Sequence, residues 1–379
     1  MRIRAAVLRE MGLPTPYTQS RPLEICEVEL DDPGPDEMLV RIGAAGLCHS
    51  DLSVIDGSRP RPMPMVLGHE AAGTVVAIGS GVERFQAGDR IAVAFVPACG
   101  GCRPCQQGRA ALCEPGAAAN GAGTLLSGER RLRDVGSGEA LHHHLGVSAF
   151  ADHAVVAPES AIPIPDDLPF ELAALFGCAV LTGVGAVVNA AHLSPDDTVA
   201  IFGLGGVGMS AVLGARLAGA KTILAVDPVA SKLELARQIA GATPVAAGAD
   251  VVDRVRSETD GGADYVIETV GNADVLAQAY AATRRGGSTI TVGLPHPDRM
   301  LTIPAVSLAA EERTLRGSYL GSSVPTRDVP RFIDHYRDGR LPVEQLLSHR
   351  LSLEEINEGF DRLARGEAVR QVVVFRDPA

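Results

Sequence analysis

The sequence predicts an α/β protein of two domains: an antiparallel, β-rich domain and a doubly wound parallel sheet. Three observations lead to this fold class. The chain has 379 residues, a length that two domains of ordinary size would fill. Its first part, as far as about residue 160, consists of short apolar runs separated by glycine-rich turns. From Pro169 onward, apolar β runs alternate with helical stretches, which is the pattern of βαβ units.

The strands of the first domain are predicted from apolar runs with glycine between them. The runs are EMLVRIGAAGLC, EAAGTVVAIGSGV and DRIAVAFV. Short strands with frequent turns favour antiparallel pairing and a barrel-like arrangement.

The second domain is predicted from strands and helices in alternation. The β runs are TVAIF (198–202), TILAVD (222–227), YVIETV (265–270) and STITVGL (288–294). Helical spacing is present in ELAALFGCAVLTGVGAVV and in SKLELARQIAG. The last part begins at DVPRFIDHYRDGRLP and ends in the strand RQVVVF, and we expect it to fold back onto the first domain. The predicted domains are therefore 1–178 with 323–379, and 179–322.

Charge and composition exclude several functions. The formal net charge of −12 disfavours general binding to nucleic acid or to anionic membrane, both of which attract cationic surfaces. The N-terminus MRIRAAVLREMGLPTP has charges within its apolar run and does not match a secretory signal. No window is long and apolar enough for a membrane span. We expect a cytoplasmic protein, in which clustered cysteines bind metal more often than they form disulfides.

Four of the seven cysteines lie between Cys99 and Cys113, in the pattern C-x2-C-x2-C-x7-C. The pattern leaves four hypotheses open: a redox pair, an iron–sulfur site, a nucleic-acid-binding zinc knuckle and a structural zinc site. The iron–sulfur motif that opens in the same way has its fourth cysteine after three residues, not seven. On the residues alone the four hypotheses stay open.

A glycine-rich turn follows the predicted strand TVAIF. Gly203, Gly205 and Gly208 have the spacing G-x-G-x-x-G, and a helical run comes next. This arrangement is typical of a dinucleotide site, in which pyrophosphate lies at the helix N-terminus. Asp227 ends the following strand, where a carboxylate accepts hydrogen bonds from ribose hydroxyls and disfavours a 2′-phosphate. The turn therefore indicates NAD rather than NADP.

A second metal site is suggested by three residues far apart in the sequence. Cys48 lies in GLCHSD, His69 in LGHEAAG and Cys178 in LFGCAVLTG. Two thiolates and one imidazole leave zinc a fourth position for water or substrate, as in catalytic sites. Either cysteine taken alone is more often a small buried hydrophobe, and a lone histidine is more often just a polar residue. A core role is what we expect for Cys26.

Together these motifs resemble the zinc-dependent alcohol dehydrogenases of the medium-chain dehydrogenase/reductase superfamily. The resemblance covers essentially the whole chain and rests on GLCHSD, GHEAAGTVVAIGSGV, the four-cysteine run, GCAVLTG, GLGGVG with Asp227, INEGF and VRQVVVF. It implies a GroES-like catalytic domain, a Rossmann coenzyme domain, two Zn²⁺ per subunit and NAD. The implied reaction is reversible hydride transfer from an alcohol to NAD⁺, giving an aldehyde or ketone.

The resemblance also implies roles for single residues. Catalytic zinc is assigned to Cys48, His69 and Cys178, and structural zinc to Cys99, Cys102, Cys105 and Cys113. Ser50 would take the proton of the substrate, Glu70 would lie near the metal, and Asp51 would orient His69. The implied coenzyme contacts are Gly203, Gly205, Gly206, Val207, Gly208, Asp227, His49, Thr182, Leu294 and Arg370. Phe95 and Leu294 fall where the family lines its substrate pocket.

Two further features of the sequence concern the proton route and the substrate pocket. Ser53 stands where many family members have a histidine that completes the proton relay. We therefore expect Ser50 to pass its proton to the cofactor ribose, and water or His49 to complete the route. The long segment 114–147 ends in three histidines, His142–His144, which cannot all share one face of a regular element. We expect a loop or packing role for them, and a pocket shaped for larger, aryl or allylic alcohols.

Other functions compatible with the resemblance stay open at this point. A thiol-adduct (S-hydroxymethyl) formaldehyde dehydrogenase would need cations at the pocket mouth, for which Arg59, Arg61, Arg130 and Arg131 are available. A nicotinoprotein would keep its NAD bound, and a structural or regulatory protein would not catalyse at all. The expected partners are a small alcohol or aldehyde and further copies of the chain. TLRGSYL (314–320) is an edge strand through which a homodimer, or paired dimers in a tetramer, could form.

Overall fold

A computed structural model describes residues 1–375. Its strands are numbered in chain order: β1 Arg2–Leu8, β2 Leu23–Leu30, β3 Met38–Gly46, β4 Met65–Val66, β5 Glu70–Ile78, β6 Arg90–Val93, β7 Leu132–Asp134, β8 Ala140–His143, β9 His153–Val156, β10 Ala161–Pro163, β11 Thr198–Phe202, β12 Thr222–Asp227, β13 Thr243–Ala246, β14 Ala263–Glu268, β15 Thr283–Thr291, β16 Thr314–Gly317, β17 Leu347–Leu351 and β18 Arg370–Val374.

The α-helices are numbered in the same way: α1 Tyr17–Ser20, α2 His49–Ile55, α3 Arg103–Gln106, α4 Glu114–Ala122, α5 Phe170–Phe176, α6 Ala179–Gly185, α7 Gly206–Ala218, α8 Ala230–Ala240, α9 Val251–Glu258, α10 Ala273–Ala282, α11 Ala305–Ala310, α12 Pro325–Arg337 and α13 Ile356–Ala364. A π-helical turn, Ala186–Ala191, continues α6.

The chain divides into two compact units. The first unit contains Met1–Cys178, Val324–Pro330 and the chain from Leu347 onward, and the second contains Ala179–Ser323 and Arg331–Leu346. The segment 331–346 belongs to the second unit, whereas the sequence analysis assigned it to the first domain. Its apolar residues, among them Phe332, Ile333 and Leu341, are buried there.

The first unit is built from two β structures. β1, β2, β7, β8 and β4 form a closed barrel, and β10, β6, β5, β3, β18 and β17 form a sheet in which β9 also pairs with β3. Most pairs are antiparallel, as predicted, but β4 pairs with β8 and β17 with β18 in parallel. The segment 114–147 is not an isolated loop, because it supplies α4 and the barrel strands β7 and β8. Buried aliphatic and aromatic side chains such as Phe150 and Phe360 fill the core.

The second unit has a parallel sheet of six strands in the order β13-β12-β11-β14-β15-β16. Each neighbouring pair runs parallel. In sequence order within the unit this is 3-2-1-4-5-6, the order of dinucleotide-binding doubly wound sheets. The predicted α/β class with this sheet is confirmed, and the four predicted strands correspond to β11, β12, β14 and β15.

One predicted helical run is divided in two. Sequence periodicity extends without interruption from α5 into α6, but α5 ends at Phe176 and α6 begins at Ala179. At the break, a Cβ on Gly177 would lie 2.1 Å from the carbonyl oxygen of Val93, so glycine permits close packing on β6. Cys178 consequently lies at the junction between α5 and α6.

No single helix in the described part of the chain is long and apolar enough to cross a membrane. The bent pair Phe170–Phe176 and Ala179–Ala191 meets the length and composition test only when its two parts are counted together.

Candidate active site

The pairing of β3 with β5 explains why Cys48 and His69 meet. In this antiparallel pair, Gly46 at the end of β3 is opposite Glu70 at the start of β5. Cys48 follows the first strand by two residues and His69 immediately precedes the second, so their side chains come from neighbouring chain ends. A Cβ on Gly46 would lie 2.7 Å from a carboxylate oxygen of Glu70, so glycine makes room for that side chain.

Cys178 completes a buried group of three ligand atoms. The thiolate or ring-nitrogen positions of Cys48, His69 and Cys178 all lie within 4.8 Å of one another. Sγ of Cys178 is 3.5 Å from Nε2 of His69. The hydrogen bond that Cys178 donates lowers the pKa of Cys48 well below its usual range, although burial acts in the opposite direction. The thiolate form of Cys48 is therefore favoured. Thiolate and imidazole are the donors that zinc prefers, and the three residues fit that ion.

Asp51 supports two of the three ligand residues through hydrogen bonds. It lies in the first turn of α2 and accepts a hydrogen bond from the backbone N–H of Cys48, at 3.3 Å, in a capping box. One of its oxygens is 3.2 Å from Nδ1 of His69. Burial would raise the pKa of Asp51, but the two neighbouring imidazoles of His69 and His144 hold it well below its usual range. Asp51 is therefore an ionised acceptor beside His69.

Glu70 and Arg370 form a buried pair beside the cysteines. Nη1 of Arg370 is 3.6 Å from Oε2 of Glu70 and donates to the carbonyl oxygen of Leu47 at 3.2 Å. Neither carboxylate oxygen of Glu70 has a hydrogen-bond partner among residues 1–375. Burial, opposed by Arg370, raises the pKa of Glu70 to about 7. The predicted phosphate contact, Arg370, is thus directed at Glu70 in this structure.

The four-cysteine segment forms a second group of ligand atoms. The Sγ atoms of Cys99, Cys102, Cys105 and Cys113 lie within 4.8 Å of one another. Backbone N–H groups of Cys99 and Gly116 donate to Sγ of Cys113 at 3.3 and 3.4 Å. Such N–H bonds stabilise thiolates, and four thiolates match the closed ligand set of structural zinc.

The glycine-rich turn is open where a dinucleotide would approach it. α7 begins at Gly206, and its N-cap residue Gly205 supplies no side chain to the free N–H groups. A Cβ on Gly205 would meet no other atom within 4 Å, whereas a Cβ on Gly208 would lie 1.7 Å from the carbonyl oxygen of Gly203. Gly208 is therefore required by packing, and the space at Gly205 is left for a ligand such as pyrophosphate.

Asp227 lies beside this turn at the end of β12. Its two oxygens accept hydrogen bonds from the backbone N–H of Leu204 at 2.7 Å and of Val229 at 2.9 Å. The carboxylate therefore also fixes the glycine-rich turn, a role that the sequence analysis did not predict.

The remaining predicted residues differ in location and exposure. His49 is exposed and Ser50 is half-buried, both in the first turn of α2 in the first unit. Phe95 belongs to the same unit, and its ring centroid is 5.4 Å from that of His69 in an edge-to-face arrangement. Thr182 and Leu294 belong to the second unit, where Thr182 is buried in α6 and Leu294 is exposed.

His144 is a site residue that the sequence analysis missed. The histidine run was expected to pack or to lie in a loop, and His143 does pack in the barrel as a buried residue of β8. Nδ1 of His144, by contrast, lies 2.9 Å from Oδ1 of Asp51. His144 directly follows β8 and is buried like His143, so burial does not separate the two neighbours, and Asp51 is too distant in sequence to be predicted as the partner.

Two arginines considered for an anionic substrate already have protein partners. Nε of Arg131 is 2.7 Å from the buried carboxylate of Glu37. Arg130 donates to the carbonyl oxygen of Ala140 at 3.2 Å. The carboxylate of Glu37 neutralises the charge of Arg131, whereas the bond of Arg130 to a neutral carbonyl leaves its charge in place.

Comparison with known proteins agrees with both units. Residues 34–166 match the alcohol dehydrogenase GroES-like domain, and residues 206–337 match the zinc-binding dehydrogenase family. The geraniol dehydrogenase of Castellaniella defragrans is 37% identical over 98% of this chain and 97% of its own length. The NDMA-dependent alcohol dehydrogenase of Amycolatopsis methanolica is 36% identical over 99% of both chains. The crystal structure of benzyl alcohol dehydrogenase from Acinetobacter calcoaceticus has a TM-score of 0.91 and 32% identity, and the match covers 99% of this chain and 100% of that one.

These matches define an oxidoreductase with a GroES-like domain and a Rossmann-like domain. The chain belongs to the zinc-dependent alcohol dehydrogenase family of the medium-chain dehydrogenase/reductase superfamily, as the resemblance implied.

Proposed function

We propose that this protein is a zinc- and NAD-dependent alcohol dehydrogenase that oxidises primary or secondary alcohols, with a preference for allylic and aryl alcohols. The observation that carries the proposal is the buried Cys48–His69–Cys178 group, a set of three ligands that leaves zinc a fourth position. The relatives named for geraniol and for benzyl alcohol support the substrate class.

The residues around the metal group have separable tasks. Cys48, His69 and Cys178 would hold the ion, and Asp51 would keep the ring of His69 in its ligand orientation. With zinc bound there, the chemistry supplied is Lewis-acid stabilisation of negative charge on the substrate oxygen. Ser50 would accept the hydroxyl proton of the substrate, and water or His49 would complete its transfer to solvent. The edge of Phe95 next to His69 gives this side of the site an apolar surface.

The second unit would bind NAD through its glycine-rich turn. Pyrophosphate would lie at the N-terminus of α7 over Gly205, where free N–H groups and the helix dipole favour negative charge. Gly203, Gly206, Val207 and Gly208 would shape the turn, and Asp227 would accept from the ribose hydroxyls while disfavouring a 2′-phosphate. The chemistry that bound NAD⁺ supplies is acceptance of hydride. Thr182, Leu294, His49 and Arg370 remain predicted contacts of the coenzyme.

The cysteines of the second group would bind a structural zinc, giving two ions per subunit. We also propose a cytoplasmic location, where reducing conditions keep cysteines available as metal ligands. We also propose a homodimer, formed through the exposed edge strand β16 of the parallel sheet and able to pair into a tetramer. Light scattering on the purified protein measures this state.

A substrate screen tests the proposal. Primary, secondary, allylic and aryl alcohols and a hydroxymethylated thiol are each incubated with the enzyme and NAD⁺ while NADH absorbance is followed. We expect the highest kcat/KM with allylic or aryl alcohols. Turnover of the thiol adduct alone would replace the proposal with a formaldehyde dehydrogenase. Purified protein that carries NAD, and that oxidises an alcohol only when a second substrate is reduced, would indicate a nicotinoprotein.

A further inference from the structure

We propose that His144 is a positioning residue: by holding Asp51, it fixes the orientation in which His69 binds the metal. The proposal rests on the Cys48–His69–Cys178 metal site proposed above. It concerns an imidazole outside that ligand set, in the residue that follows β8.

The carboxylate of Asp51 is where several parts of the site converge. Its oxygens accept from the backbone N–H groups of Cys48 and Gly68, at 3.3 and 3.0 Å. These two groups belong to the segments that carry the ligands Cys48 and His69. Asp51 therefore connects both ligand-bearing segments, and any movement of its carboxylate would be transmitted to both.

Two imidazoles face the same carboxylate. Nδ1 of His69 lies 3.2 Å from Asp51, and Nδ1 of His144 lies 2.9 Å from Oδ1 of the same residue. Nδ1 of His144 makes no hydrogen bond in the described part of the chain, so its close polar contact is the charge contact with Asp51. A nitrogen lone pair facing a carboxylate oxygen at this distance would be repelled, so Nδ1 of each ring carries a hydrogen. For His69 this leaves Nε2 with its lone pair toward the cysteines, which is the tautomer that a metal ligand requires.

The backbone around His144 is firmly held. Its N–H lies 3.0 Å from the hydroxyl of Ser148, which donates to the carbonyl oxygen of Val66 at 2.8 Å. Leu145 and Ser148 have φ of 52° and 58°, in the left-handed region that such residues seldom adopt. Two residues in this region persist in one turn only when the surrounding contacts fix its backbone. The same backbone places the ring of His144 beside Asp51.

The packing of the two imidazole rings also restricts the orientation of His69. The ring centroids of His69 and His144 are 5.3 Å apart, and the planes meet at 87°. In this edge-to-face contact, rotation of the His69 ring would collide with His144. The neighbouring His143 is equally buried, but its Nε2 accepts from the backbone N–H of Arg131 at 3.1 Å, away from the metal group. His143, the last residue of β8, therefore provides a matched control next to His144 in the chain.

The test uses the zinc-loaded enzyme with His144→Phe, His144→Asn and His143→Phe variants. Phe retains bulk without a donor, whereas Asn places an N–H the same number of bonds from the backbone as Nδ1. The first readout is the rate at which a chelator removes each zinc, with the four-cysteine zinc as an internal reference. The second is the visible absorption of the enzyme with cobalt(II) in place of the catalytic zinc, which reports ligand geometry.

We expect His144→Phe to lose the catalytic zinc about 10- to 100-fold faster, the usual range for removing a partner of a metal ligand, and to shift the cobalt spectrum. His144→Asn should restore most of both properties, and His143→Phe should match the wild type.

The inference is overturned if His144→Phe keeps the wild-type release rate and spectrum, if Asn performs no better than Phe, or if His143→Phe shows the same loss. If the wild type contains only the four-cysteine zinc, the proposed catalytic site is wrong and this inference is wrong with it. A wild type with two zinc ions and an unaffected His144→Phe would overturn the inference alone.

Discussion

Sγ of Cys178 and Nε2 of His69 lie 3.5 Å apart, although 109 positions separate the two residues in the chain. Both side chains are buried, and Cys48 lies within ligand distance of both. Two thiolates and an imidazole are ligands that zinc prefers, and a set of three leaves the ion a fourth position. The proposed dehydrogenase activity depends on the ion that this group would hold.

Removal of the Ser50 hydroxyl should greatly reduce turnover. A positioned proton acceptor contributes about 10²- to 10⁴-fold, so Ser50→Ala should lower kcat by roughly that range with little change in NAD binding. Ser53→Ala, one turn further along α2, is the matched control and should retain most of the activity. Stopped-flow measurement of NADH formation checks both variants. Near-normal rates in Ser50→Ala would exclude Ser50 from proton transfer.

The Asp227 carboxylate should determine coenzyme choice. Asp227→Asn removes the negative charge that the proposed NAD site places beside the adenosine ribose, and a hydrogen bond to a charged group contributes about 1.5–3 kcal/mol. We therefore expect the KM for NAD to rise by roughly tenfold or more and activity with NADP to appear. Asp264→Asn is the control, because Asp264 accepts from the N–H of Thr198 at 2.8 Å, at the opposite end of the strands. Equal KM ratios for NAD and NADP in wild type and Asp227→Asn would contradict the role.

Asp361 should contribute stability that depends on pH. Its oxygens accept from the backbone N–H groups of Tyr17 at 2.6 Å and Thr18 at 2.9 Å. Burial would raise the pKa of Asp361, but these bonds lower it below its usual value. Because the folded-state pKa is the lower one, the stabilisation is complete above the unfolded value of about 3.9 and is lost as pH falls through the folded-state pKa.

The measurement compares thermal unfolding of wild type and Asp361→Asn across pH. The wild type should be more stable near neutral pH, and the difference should shrink as pH falls below about 4. Comparing two variants at each pH cancels any metal loss that both suffer in acid. A difference that stays constant down to the most acidic pH would show that the Asp361 carboxylate is not the source.

The features that were predicted correctly are those that local sequence patterns encode. The alternation of strands and helices from Thr198 onward predicted the parallel sheet, and glycine spacing placed the turn at Gly203–Gly208. Other features depend on contacts between distant residues. The break at Gly177 arises from the carbonyl of Val93, and the approach of His144 to Asp51 depends on how β8 enters the barrel. Helical periodicity carries no information about either contact.

The domain to which one segment belongs also depends on contacts between distant residues. Residues 331–346 follow the last strand of the parallel sheet, and their helical pattern alone does not say which core they join. Phe332 and Ile333 are buried in the second unit, so tertiary packing decides the assignment.

Zinc content measured together with activity tests the central claim most directly. The wild type should contain two zinc ions per chain, and removing the more labile ion with a chelator should abolish NADH formation until zinc is restored. Cys178→Ala should keep one zinc and no activity, whereas Cys26→Ala, a cysteine variant in β2 away from both groups, should keep two and remain active. One zinc per chain in the wild type, or full activity in Cys178→Ala, would contradict the account.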